Sequence, residues 1–184
     1  MKKQNSIARV GASAFLLTGF LAASSVMTAA DAPDSEQVSK LLSEAKTAAF
    51  QIKEDAIIME SYTRVDVSLE SHAVAINLVK DHVNELGRVV NKLNEAKGSA
   101  SPWQRTAIDR IQPYLDELGG YTTAVIEHIN GTPKHTAAEY KDYLEANVDY
   151  SGDLAAMIAD YVNYGNAKQR VERLSAKLEL AAAR

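Results

Sequence analysis

No cysteine occurs in the 184 residues. That excludes disulfides, thiol catalysis, covalently attached c-type haem, iron–sulfur clusters and a lipidated N-terminal cysteine. Basic clusters are missing as well, and 20 Lys and Arg stand against 24 Asp and Glu. A nucleic-acid partner is therefore not expected, because such binding needs grouped cations to displace counterions. Anionic membrane surfaces are disfavoured for the same reason. There is no glycine-rich phosphate loop, no Gly-x-Ser-x-Gly elbow and no His-Glu-x-x-His pair. Paired carboxylates fall only on outward faces, so no enzyme is expected. Strand-like alternation, low-complexity tracts and internal repeats are absent too.

The one long apolar run lies at the start. Lys2, Lys3 and Arg9 precede apolar residues from Val10 to Val26, and Thr28, Ala29 and Ala30 follow. Basic start, apolar middle and small-residue exit are the three parts of a secretory signal peptide. Gly, Ser and Thr interrupt the run, and it falls short of the ~20 residues a membrane-spanning helix needs. Residues 1–30 are thus expected to be removed after Ala30, leaving a protein exported to the periplasm or the extracellular space. No stable membrane insertion is expected after that cleavage. The removed segment holds three of the basic residues and none of the acidic ones, so the net charge moves from −4 to −7. An exported chain without disulfides relies on its core. About 150 residues suffice for that, burying roughly 70% of their surface on folding.

The remainder, 31–184, reads as a single helical domain. Leu69, His72, Ile76, Val79, Val83, Leu86, Val90 and Leu93 step alternately by three and four, which describes a helix with a seam facing other helices. Val38, Leu42, Ala45, Ala49, Ile52, Ala56 and Met59 form an earlier seam, opened by a capping box at Asp34 and Gln37. Phe50, Ile57 and Ile58 lie beside it and are expected to widen its core face.

A third helix begins at Ser101, Pro102 and Gln104, which combine a capping box with the favoured proline position. Its seam runs from Ile108 to Ile129 in unbroken phase, so Pro113 and Gly119-Gly120 are expected to kink it rather than end it. A fourth helix starts at Thr136 and Glu139, with Tyr140, Leu144, Leu154, Ile158 and Tyr161 on its core side. Gly98 is expected to close the second helix. The pattern predicts an all-α, up-down-up-down four-helix bundle with an extended C-terminal helix, the spans being about 34–62, 68–97, 102–130 and 137–182. An exported, cysteine-free bundle of this form resembles exported helical bundles in general, and no motif carries functional residues across from a characterised family.

Up-down topology brings three of the four histidines, His72, His128 and His135, to one pole, with Glu60, Glu127 and Glu139 near them in sequence. They are the only candidate ligands for a zinc, copper or iron ion, or for a small ligand. No Glu-x-x-His pair occurs, so the di-iron pattern of ferritin-like bundles is absent and no metal is expected. Met59 and His72 stand at similar distances from the first turn and could face one another as haem ligands. The seam residues fill the interior, however, and no cofactor is expected. His72, as a polar residue on a seam, is expected to be buried against a tyrosine hydroxyl or a glutamate of another helix.

Two stripes remain. Tyr143, Tyr150, Met157 and Tyr164 fall seven residues apart beside the fourth core line, and are expected to pack their rings inward with wet hydroxyls. Beyond Gly165-Asn166, read as an interruption, Ala167, Val171, Leu174, Leu178 and Ala181 share one face. That segment is surplus to the bundle and is expected to project. Val171, Leu174 and Leu178 are then the expected contacts for a protein partner or a second copy of the chain.

Overall fold

The computed structural model describes residues 32–65, 67–131 and 137–183. Four α-helices make up nearly all of them: α1 (Glu36–Ser61), α2 (Leu69–Ala96), α3 (Pro102–Gly131) and α4 (Ala138–Ala182). No strand occurs among the described residues. α1 packs beside α2 and α4, and α3 beside the same two, which is the ring of neighbours of an up-down-up-down bundle.

The seams meet inside this ring. On α2, His72, Ile76, Val79, Leu86, Val90 and Leu93 are buried. On α1 the buried line includes Ala45, Ala48, Ala49 and Ala56, small side chains that let the neighbouring helices come close. Phe50, Ile57 and Ile58 do not widen that line. They are 38%, 40% and 49% exposed, because the alanine face already turns toward both neighbours and leaves these three on the outside.

The helix ends correct several local expectations. Ser35, not Asp34, caps α1, its hydroxyl accepting from the Val38 amide. Asp34 is occupied elsewhere, as described below. Ser68 caps α2 by accepting from the Ser71 amide. α2 then closes through a 3-10 turn, Lys97–Ser99, without Gly98 entering the left-handed region. Pro113 and the paired glycines leave α3 continuous. Pro113 is exposed, so the Asp109 carbonyl it leaves without an amide partner lies on the wet side of the helix. Thr136, the expected cap of α4, lies outside the described residues.

α4 is the exception in length. It has 45 residues against 30 in α3, and so overshoots its neighbour by roughly 22 Å at 1.5 Å per residue. Gly165-Asn166 does not interrupt it. The glycine serves a close approach instead: a Cβ there would lie 2.7 Å from the Trp103 ring, and the helix continues unbroken past that contact.

Candidate protein-contact surface

The two ends of the bundle are built differently. At the end where α1 leads into α2, the buried His72 sits on α2 with Nδ1 2.8 Å from the Tyr140 hydroxyl of α4. His128, on α3, stacks on the Tyr140 ring with centroids 5.3 Å apart, and Tyr62 meets His72 edge-on. Burial pushes the Tyr140 phenol up to about 12, so it stays protonated and its hydroxyl remains a stable partner for imidazole. His128 Nδ1 is 4.0 Å from Glu139, which also accepts from the Tyr143 hydroxyl at 2.7 Å.

The pole thus brings His72 and His128 together on one tyrosine. His135 lies outside the described residues. Among the described residues, no three His, Asp or Glu side chains converge as a metal site would require. Glu60 turns away to pair with Arg64. The fourth histidine, His82, lies further along α2 with Nδ1 2.5 Å from Asp55 of α1, a cross-helix bond with no sequence signal beyond residue type.

The opposite end rests on Gln104 and Trp103. Gln104 is fully buried; its Oε1 accepts from the amides of Ser101 and Ser35, while Nε2 donates to the Ser35 carbonyl and the Ser39 hydroxyl. One side chain therefore completes the cap of α3 and ties it to the start of α1. The Trp103 indole donates to Asp34 at 2.7 Å, and Lys168 of α4 reaches the same oxygen at 2.9 Å. Burial alone would raise the Asp34 carboxyl, but the Ser101 hydroxyl, the Lys168 ammonium and the Trp103 indole outweigh it and hold the carboxyl below its usual range. The same carboxylate holds Lys168 up. This clamp fixes the last packed turn of α4.

Past the clamp the helix is bare. From Arg170 to Ala183 every residue is exposed, with Val171 62%, Leu174 51% and Leu178 71% accessible. Arg170–Ala183 is thus an arm, and the three residues expected to make partner contacts lie on it.

The tyrosine stripe leads into this arm. Tyr143, Tyr150 and Met157 are half-buried, and Tyr150 packs against the rings of Tyr114 and Tyr121 on α3. Tyr164 stands 55% exposed with its ring edge-on to Trp103. Between them an open groove of about 670 Å³ runs along α3 and α4, floored by Trp103, Tyr114, Met157 and Tyr164 and edged by Arg110, Asp153 and Asp160. Of the stripe singled out by its spacing and expected to pack inward, Met157 and Tyr164 line this groove; its α3 side depends on which helices become neighbours. Among the described residues, no helix is long and apolar enough to cross a membrane. No protein family, curated protein or solved structure matches the chain.

Proposed function

We propose that this is an exported, non-catalytic helical-bundle protein that acts through protein contacts in the cell envelope, with the arm of α4 as its contact element. The observation that carries the reading is the bare apolar face of Val171, Leu174 and Leu178 on a helix clamped to the bundle only as far as Lys168. Three large aliphatic residues at seam spacing are the usual mark of a face awaiting another helix. Export is supported by the basic, apolar and small-residue order of residues 1–30.

The test has two arms. Cell fractionation with N-terminal sequencing is expected to find the chain outside the cytosol, beginning near Asp31; a cytosolic chain that keeps Met1 would overturn export. A photo-cross-linking residue at Leu174, in living cells of the host, is expected to give protein adducts. The same probe at Leu154, in the core, should give none. Absence of adducts from Leu174 and from Leu178 would overturn the contact role.

A small-ligand- or metal-binding bundle is the second reading, supported by the meeting of His72 and His128 on Tyr140. Metal content and the visible absorption spectrum of protein purified from its host decide it. Stoichiometric zinc, copper or iron, lost when His72 and His128 are both changed to Ala, would favour this reading over the first.

A further inference from the structure

We infer that the arm docks into the α3–α4 groove of a second copy of this chain, the two α4 helices running antiparallel about a two-fold axis near Gly165 and Asn166. The inference deepens the contact reading above and rests on it.

The first support is continuity. Asp153, Met157, Asp160 and Tyr164 line the groove and step by four, three and four. The same alternation carried forward lands on Ala167, Val171, Leu174 and Leu178. The continuous helix therefore carries one slowly winding stripe that first edges a groove and then stands bare. Two such helices laid antiparallel about that axis bring the bare half of each onto the groove half of the other. Leu174 then faces Met157 of the second copy and Ala167, a small residue, faces the large Tyr164 ring near the axis, while Val171 and Leu178 come level with Asp160 and Asp153, whose carboxylates must turn to the rim.

Charge selects this partner and this direction. The groove carries Asp153 and Asp160 on its α4 stripe, seven residues apart, with Arg110 on the α3 side; the arm carries Arg170, Arg173 and Lys177 against Glu172 and Glu179, with Arg170 and Lys177 also seven apart beside its stripe. In the antiparallel arrangement Arg170 comes beside Asp160 of the second copy, and Lys177 beside Asp153. Pairing arm with arm alone would instead set Arg170 beside Lys177, and a parallel pairing would set like charges level with each other. Exposed ion pairs contribute little affinity each, so they fix direction while apolar burial supplies the attraction. Length agrees as well: Asn166–Ala182 spans roughly 25 Å at 1.5 Å per residue, enough to cover the α4 side of the groove from Tyr164 to Asp153. The arrangement is closed, since both grooves are filled and neither arm is left over.

The test is sedimentation of the full chain and of two charge-reversed forms, Arg170→Glu with Lys177→Glu, and Asp153→Lys with Asp160→Lys. All four positions are exposed, so circular dichroism should show the bundle intact in each. The unaltered chain is expected to dimerise, and each reversed form alone to dimerise roughly tenfold more weakly or worse. Mixed together, the two reversed forms should make a heterodimer, because every arm then meets a groove of opposite charge. A monomeric unaltered chain, dimers indifferent to both reversals, or failure of the mixture to associate would each overturn the second-copy proposal. If the chain proves monomeric while Leu174 still yields adducts in cells, the contact reading stands and only the choice of partner falls. If both fail, the arm is not a contact element.

Discussion

From Ala138 to Gly165, α4 buries Tyr140, Leu144, Asn147, Ser151, Leu154, Ala155 and Ile158; from Arg170 to Ala183 it buries nothing. The helix is unbroken and its apolar residues step by three and four in both halves, but on different faces: carried forward, the buried line meets Lys168, Glu172, Ser175 and Glu179, while the arm's stripe continues the line of Met157 and Tyr164. The surroundings differ as well. α3 begins at Pro102, and α1 at Glu36, so neither continues beyond the Trp103–Asp34–Lys168 clamp to cover the arm. The arm stays helical because it extends an existing helix, which removes the nucleation step, and because Ala, Leu, Lys, Arg and Glu dominate it. A periodic apolar face announces that something covers it. Only the neighbouring elements say whether the cover lies within the chain.

The comparison is sharpest for one substitution made in both halves. Leu154→Ala removes a fully buried side chain and should cost about 2–5 kcal/mol of stability, read by denaturant or thermal unfolding. Leu174→Ala, at a half-exposed position, should lie within about 0.5 kcal/mol of the parent in dilute solution. Equal losses at the two positions would break the distinction between body and arm.

Gly165→Ala probes the boundary. The added methyl would lie 2.7 Å from a ring atom of Trp103, whose rigid indole is also held by its bond to Asp34. Overpacking of this kind costs about 1–3 kcal/mol. The fluorescence of Trp103, the chain's single tryptophan, should shift as its ring is displaced. An unchanged spectrum and stability would mean that the close approach is not required.

A smaller effect is expected in acid. The Asp34 carboxyl is held below its ordinary value of 3.8, so its contribution is fully present above that pH. In the unfolded chain the group takes up its proton first as pH falls. The contribution is accordingly lost on going down through the depressed folded-state value. Trp103 emission should report this loosening, and Asp34→Asn should abolish that part of the pH dependence.

Much of the bundle was legible because its signals are local. The Ser101-Pro102 pair marks a helix start, and His72 stands out as a polar member of an apolar seam, for which a tyrosine hydroxyl or a glutamate is the expected partner and Tyr140 is the one found. Asn147 and Ser151 were missed, although steps of three and four from Leu144 land on both before reaching Leu154. They are buried, with Asn147 Oδ1 2.8 Å from the Thr122 hydroxyl, a polar layer between α3 and α4. Treating the seam as strictly apolar hid it. Gln104 reads in sequence as a capping residue, and its bonds to α1 depend on a partner far away in the chain. Gly165 reads as a weak point in a helix for the same reason, since the ring that requires it belongs to α3. Phe50, Ile57 and Ile58 show the converse, apolar residues that local pattern assigns to a core and the neighbours leave outside.

The central claim, that the arm serves association and not the fold, is tested most directly by ending the chain after Gln169, which keeps Gly165 and the Lys168 clamp. Melting in dilute solution and mass across a concentration series are measured for both forms. The account predicts the same melting temperature for the two and loss of self-association in the shortened chain. A lowered melting temperature with association unchanged would contradict it, and would make Arg170–Ala183 part of what holds the bundle together.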